Sequence, residues 1–382
     1  MPINYLEIKQ QIPGYCTDTR QRSEKLGDAL LRAEARLNDP GMILADIRAR
    51  IQDLARTNPT LRCALPLEFP LSQVYAPPAR NVDYPILAAD GSQVVPSRHR
   101  QVEFGAINIA AISMIPGSGA APQITIRSSL LDFPDMTDAV VGLSEGKIAL
   151  IRDLHERKLL AEVAEELPPP VISLTDGGME LYREPGADRQ YEEMLQEYQA
   201  VLHRFQQIGA VPAGYVDKPG SRLVTAMLEL LNASPSLEDG LGILPDRILF
   251  SRLLDEPYSR SAVFAIQSPQ AQRGDTQQAI HFFYFNASRQ GSSKIARVEL
   301  PSWVTEDGDA VVRLHAALVQ QCRINGWDYP YLLGRAHEEA VIRYEDSLHL
   351  EEMIIAGLRK EGIPAGEMSE KQKAKDGLGK KG

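Results

Sequence analysis

Cysteine is scarce in this chain: 382 residues contain Cys16, Cys63 and Cys322 and no others. Their spacing builds neither a disulfide framework nor a C-x-x-C metal pattern, which points to a reducing compartment. Positive charge is also short. Forty-one lysines and arginines stand against 51 acidic residues, for a net charge of −10, so any contact with a nucleic acid needs a local basic patch rather than a basic whole. No apolar run approaches the ~20 residues of a membrane span. The start, Met-Pro-Ile-Asn-Tyr-Leu-Glu, is not a basic segment followed by an apolar one. The expectation is a cytoplasmic protein without a membrane partner. Also missing are a P-loop, a G-x-G-x-x-G after a strand, an H-E-x-x-H and a G-x-S-x-G, which removes most support for nucleotide hydrolysis, dinucleotide redox chemistry and serine hydrolysis. What remains is a chain with 43% hydrophobic residues, enough for a real core in one large α/β domain or in two domains.

Residues 21–56 predict two amphipathic helices, one with Leu26, Leu30, Ala33 and Leu37 on its face, the other with Ile43, Ile47, Ile51 and Leu54. Asn38-Asp-Pro-Gly41 breaks them into a hairpin. A proline-rich, irregular connector over 57–84 follows, so residues 1–80 read as a hairpin plus connector. Strands then begin: Ile86–Ala89, the apolar run Val102–Ile115 and Gln123–Leu131, joined by loops short enough for antiparallel neighbours. A helix over about 144–167 carries Ile148, Leu150, Ile151, Leu154, Leu159 and Val163 on its apolar face, and Pro168-Pro-Pro170 stops it. Val171–Leu174 is a short buried strand. Strand, strand, strand, helix, strand is the opening order of a ribonuclease-H-like core, so the fold class is α/β: a mixed sheet flanked by helices, with the N-terminal hairpin added. Further on come a helix over 188–209, a strand entering a loop at Ala213–Lys218, and a helix at Leu223–Leu231. The segment 232–260 gives no clear element. Ile280–Phe285 and Ile295–Leu300 pair across the turn at 288–293. A long last helix runs from near Pro330 to about Lys360, leaving a Gly/Lys-rich tail, residues 361–382, that reads as disordered.

Two Asp-Gly dipeptides end apolar strands in the same way, at Asp90-Gly91 and Asp176-Gly177. Either alone is an ordinary turn. In a ribonuclease-H-like order, however, the first and fourth strands are adjacent, which brings Asp90 and Asp176 together. Clustered carboxylates are unfavourable without cations, and divalent metals so held serve phosphodiester cleavage. The helix between them offers Glu145, Asp153, Glu156, Glu162, Glu165 and Glu166, most of them solvated face. Glu156, four residues from both Arg152 and Leu160, is the preferred third carboxylate. His337, four residues after Leu333 and four before Val341, would ordinarily be a satisfied core histidine. Arg297-Val-Glu299 reads as a salt-bridged strand. Lys218 would contact a phosphate or cap a loop.

Together these segments resemble the NurA nuclease family: Ala88-Ala-Asp90-Gly-Ser-Gln, Arg152 to Glu156, Leu174-Thr-Asp176-Gly-Gly, Tyr215-Val-Asp-Lys218, Arg297-Val-Glu-Leu-Pro301, and Gly326-Trp-Asp-Tyr-Pro330 followed by Ala336-His337. The match spans about residues 80–350 in the family's order, making 81–360 a NurA-like domain. The resemblance implies a ribonuclease-H-like deoxyribonuclease using Mn2+ or Mg2+, as two ions, on single strands and, 5′ to 3′, on duplex ends. It implies a homodimer docked on a hexameric HerA-type translocase in DNA end processing for recombinational repair. Carried over by position, it implies Asp90, Glu156 and Asp176 as metal ligands and His337 as a metal ligand or as a group that assists the attacking or leaving oxygen, with Tyr329 completing the catalytic set. Lys218, Arg222, Arg98 and Arg297 are the candidate DNA contacts, with Arg100 and Arg127 also available. The competing readings are a dimeric adaptor of a translocase with little catalysis of its own and a ribonuclease-H-like nuclease of other specificity. Gly178-Met179 where the family commonly has Ser-Leu, and the proline run before the fourth strand, are its departures from the pattern.

Overall fold

The computed structural model describes residues 3–58, 60–132, 136–138, 142–143, 145–180, 189–232, 241–268, 279–291, 293–324, 326–364 and 366. Apart from a two-residue antiparallel pair, Thr137–Asp138 with Gly142–Leu143, its strands are β1 (Cys63–Pro66), β2 (Val74–Tyr75), β3 (Ile86–Val94), β4 (Gly105–Met114), β5 (Gln123–Leu131), β6 (Val171–Asp176), β7 (Ala210–Val216), β8 (Arg260–Ser261), β9 (Phe264–Gln267), β10 (Ile280–Asn286) and β11 (Ile295–Pro301). The helices are α1 (Tyr5–Leu37), α2 (Leu44–Thr57), α3 (Glu145–Glu165), α4 (Arg189–Gln207), α5 (Leu223–Leu230), α6 (Asp246–Leu253), α7 (Ser302–Glu306), α8 (Gly308–Ile324), α9 (Tyr331–Ala340) and α10 (Tyr344–Lys360). Two compact units divide the chain, one of Met1–Arg80 with Tyr215–Asp328, the other of Asn81–Gly214 with Tyr329–Gly382. Residues 215–328 thus group with the N-terminal helices, and not with 81–214 as their order in the chain suggests.

In the unit containing Asn81–Gly214, β3, β4 and β5 form an antiparallel meander in full register, from Ile86 opposite Met114 to Ser113 opposite Gln123. Apolar side chains on both faces of β3 and β4 mark strands covered on two sides. α3 crosses over, and β6 returns parallel to β3, with Ile86 opposite Ile172 and Ala89 opposite Thr175. This is the ribonuclease-H-like order expected from the sequence. β7 lies beyond β6 in the sheet order. α3 and α9 both pack on β3 and β4. The core between them includes Ile86, Leu87, Ala110, Ile148, Leu154, Ile172 and Leu174.

In the other unit β1, β9, β10 and β11 are successive antiparallel neighbours, and β2 is joined through β8 to β10. The connector read as irregular therefore contains two strands. Their partners lie about 200 residues later, so no local pattern announces them. Phe250 stacks on Tyr284 with ring centroids 4.1 Å apart, and Phe264 stacks on Phe282 at 5.6 Å. Asp246, fully buried, accepts from the backbone of Leu223, Val224 and Thr225 and from the Tyr284 hydroxyl, so it caps α5 from outside that helix.

Two helix boundaries differ from expectation. α1 begins at Tyr5 rather than near residue 21, although it contains Pro13. The long last helix is broken into α9 and α10, because residues 341–343 turn to meet β3: the Ile342 amide donates to the Ser92 hydroxyl at 2.9 Å. The tail past Gly366, the positions 144 and 188 at expected helix starts, Ser292 of the 288–293 turn and part of segment 232–260 lie outside the described residues. Among the described residues no helix is long and apolar enough to cross a membrane.

Candidate functional site

Asp90 is not at a strand end. β3 continues through Asp90-Gly91 to Val94, paired with β4 throughout, while β6 stops at Asp176. Ala89 stands opposite Thr175 in the last pair of the parallel ladder, and Asp90 and Asp176 are the next residue on each strand. The Asp90 side chain, 14% exposed, accepts from the Gly91 amide at 2.8 Å and bonds His337 Nδ1 at 2.7 Å. Two residues along the same face, the Ser92 hydroxyl donates to the Ala340 carbonyl, which also accepts from Asn108 at 2.9 Å. Ser92 and Asn108 thereby pin the end of α9. Three residues earlier, that places His337 over Asp90. His337 is 70% exposed, so the core reading of this histidine does not hold. With Nδ1 committed to a carboxylate, Nε2 is left as the ring's second proton position.

The opposite side of β3 meets α3. Arg152 reaches Gln93 at 3.4 Å, and a Cβ at Gly91 would stand 2.7 Å from Glu156 Oε1, 2.7 Å from Ile109 Cδ1 and 2.8 Å from Arg152 Cγ. Glycine is there because the helix closes on the strand, not because the chain turns. Glu156 is 3% exposed and its Oε1 lies 3.2 Å from Arg152 Nε, a charge contact without hydrogen-bond alignment. Burial foremost, then the negative charges of Asp153 and Asp90, push its carboxyl up to about 8 against the opposing pull of Arg157 and Arg152. Arg157, one residue on, is buried and donates to the Asp153 carbonyl at 2.9 Å and to the Gly178 carbonyl at 2.7 Å. It also lies over the Tyr198 ring, whose hydroxyl donates to the Met179 carbonyl at 2.6 Å. Gly214 presses on the same turn, leaving only 2.6 Å between the Gly177 oxygen and a Cβ placed there. α3, α4 and β7 therefore hold the turn that follows Asp176.

The structure thus brings Asp90 and His337 into direct contact, carries Asp176 at the end of the neighbouring strand and sets Glu156 against Gly91 on the α3 side of β3. Tyr329 stands two residues before α9 begins and is not among the partners of the Asp90 carboxylate described above. Of the candidate DNA contacts, Arg98 and Lys218 are exposed. Arg222 pairs with Glu229 at 2.7 Å. Arg297 is corrected: it is 8% exposed, bonded to Glu299 at 2.8 Å and to the Ser221 hydroxyl, and is closed to a polymer. Arg100 is engaged by Glu351 at 3.1 Å. The sequence reading missed Ser92, Asn108, Arg157 and Tyr198. Ser92 had a signal, since it shares a strand face with Asp90 two residues away; the others had none.

Among the described residues, no group of three or more histidine, cysteine, aspartate and glutamate side chains converges well enough to hold a metal. In donor type the set of Asp90, Asp176, Glu156 and His337 suits a hard divalent cation, oxygen with one imidazole. A cation would also offset the charges of Asp153 and Asp90, which add to burial in raising the Glu156 carboxyl.

The family model for the NurA domain matches residues 84–342. The chain belongs to the NurA family. Its NurA domain opens just before β3 and closes just after α9, so Asp90, Glu156, Asp176 and His337 all fall inside it. No curated protein matches the chain. Among solved structures, the NurA nuclease from Sulfolobus solfataricus aligns at 11% identity over 82% of this chain and 92% of that one, TM-score 0.46. The catalytic domain of human Endonuclease V aligns at 14% identity over 84% and 98%, TM-score 0.30.

Proposed function

We propose that this NurA-family protein is a metal-dependent deoxyribonuclease. On this reading it acts on single strands and, 5′ to 3′, on duplex ends, as a homodimer working with a HerA-type hexameric translocase in DNA end processing for recombinational repair. The observation that carries the proposal is the Asp90–His337 pair at 2.7 Å, on a strand whose neighbour ends in Asp176. Asp90, Asp176 and Glu156, with His337, would hold Mn2+ or Mg2+. Such ions, when bound, lower the pKa of a water and neutralise charge gathering on the phosphate.

The chain's own residues do the rest. Asp90 holds His337 in one ring orientation, through Nδ1, which leaves Nε2 for one of two roles, as a ligand to the cation or as the group that exchanges a proton with the attacking or leaving oxygen. The Ser92 and Asn108 bonds to Ala340 keep α9, and with it the imidazole, in place. Arg157 and Tyr198 fix the turn beyond Asp176. Exposed Arg98, in the same unit as Asp90, supplies a phosphate contact, which positions DNA without reading its sequence.

The test is cleavage of single-stranded DNA with manganese by the wild-type chain and by Asp90→Ala. A loss of at least a hundredfold is expected, on the order of the contribution of one positioned catalytic group. Undiminished cleavage by Asp90→Ala would sink the proposal. Parallel assays on RNA and on RNA/DNA hybrid decide substrate class, since a site that uses the 2′-hydroxyl discriminates sharply.

A further inference from the structure

The N-terminal half of α1 holds a stripe of large apolar side chains in water. Tyr5, Ile8, Ile12 and Tyr15 are 73%, 47%, 50% and 73% exposed. They recur at intervals of three, four and three residues, the a and d spacing of a heptad seam. The helix buries side chains only far from there, at Ala29, Ala33 and Leu37. In the same register the next two seam positions are Thr19 and Arg22, so the apolar seam is two heptads long and then ends. Pro13 lies inside this helix, followed by Gly14, both off the seam. A proline-glycine pair in a short isolated helical segment works against helix in water, so the arm needs packing along the seam to hold its form.

We propose that a second copy of this chain covers the stripe, the two arms packing antiparallel about a two-fold axis. The residues argue for a copy rather than an unrelated partner. Tyr, Ile, Ile, Tyr at intervals of three, four and three reads the same from either end, so an antiparallel copy sets Tyr5 against Tyr15 of the partner subunit and Ile8 against Ile12 of the partner subunit. An isologous contact requires such self-complementarity; a foreign helix does not. Charge agrees, because Glu7 and Asp18 are balanced by Lys9 and Arg20 within the arm, so two copies do not repel as wholes. At ~150 Å² each, the four tyrosines alone would bury roughly 600 Å². With four isoleucines added, the seam nears the lower end of a specific interface, about 1,200 Å².

The proposal deepens the homodimer reading and is separate from the cleavage chemistry. Sedimentation equilibrium on the full chain tests it, comparing wild type with Ile8→Asp/Ile12→Asp. Expected is a wild-type dimer whose dissociation constant rises at least a hundredfold in the variant, with manganese-dependent cleavage of single-stranded DNA and far-UV circular dichroism retained as evidence of folding. In a Cys16→Ser background, Ile8→Cys together with Ile12→Cys should cross-link two chains under mild oxidation, and Ile8→Cys alone should not. A dimer equally tight in the aspartate variant overturns the arm interface and leaves the homodimer reading standing. A monomeric wild type overturns both, and cross-linking by Ile8→Cys alone overturns the antiparallel arrangement.

Discussion

Gly91 and Gly177 each follow an aspartate of the site, yet they are glycine for different reasons. Gly177 has φ of +97° and nothing within 4 Å of a Cβ built on it, so Gly177→Ala should lose about 1–2 kcal/mol through the backbone alone. At Gly91 the obstacle is packing, against Glu156, Ile109 and Arg152. Gly91→Ala should cost about 1–3 kcal/mol by overpacking. Cutting Glu156 to alanine in the same chain should relieve part of that, giving a coupling of at least ~0.5 kcal/mol in urea denaturation, whereas Gly177→Ala should add to Glu156→Ala without coupling. His337 presents the reverse case. With its side chain 70% exposed, His337→Gln should shift stability by less than about 0.5 kcal/mol, while cleavage falls on the order of a hundredfold; a fall matched by lost stability would remove its catalytic role. Residue type and spacing were enough to single out Asp90 and Asp176 as candidates and to prefer Glu156 among the carboxylates of its helix. What these could not reveal was that Asp90-Gly91 is mid-strand, because turn and close-packed strand use the same dipeptide.

At the scale of elements, the core order from β3 to β6 was legible because each element carries its own periodicity and the proline run at 168–170 punctuates α3. The break between α9 and α10 was not. Nothing in Val341-Ile-Arg343 forbids helix, and the interruption is made by Ser92, some 250 residues away. β1 and β2 were hidden for the same reason, their partners being remote in sequence. Remote anchoring also governs the turn after Asp176, whose carbonyls at Gly178 and Met179 are taken by Arg157 and Tyr198. Tyr198→Phe removes one of these bonds and keeps the ring under Arg157. It should cost about 1 kcal/mol and, by loosening the element that carries Asp176, raise the manganese concentration needed for half-maximal cleavage. An unchanged manganese requirement would assign Tyr198 to packing alone.

For the whole molecule, opposite pH responses fall on the two units. His281 and His315 belong to the unit containing Tyr215–Asp328, and burial lowers each to about 4. His315 bonds the Tyr258 carbonyl through Nε2 at 2.7 Å, and His281 bonds Thr305 through Nδ1 at 2.6 Å. Unfolded, both take up a proton near pH 6.5, so between 6.5 and 4 the unfolded chain binds more protons. Their contribution is complete above 6.5 and is lost as pH falls, by roughly 3 kcal/mol each at the lower limit. Glu156 belongs to the other unit and behaves in the opposite sense: folded, it keeps its proton to about 8; unfolded, it releases it near 4.5. The folded state is then the better proton binder, and stability declines as pH rises from 4.5 to 8. Hydrogen exchange of the full chain with chelator present, at pH 5.5 and 7.5, should show protection rising in β3, β4 and α3 at the lower pH while it falls in β10 and α8. Glu156→Gln should abolish the first response and leave the second. If both units lose protection together on acidification, Glu156 is ionised in the folded chain, and Arg152 outweighs burial at that carboxyl.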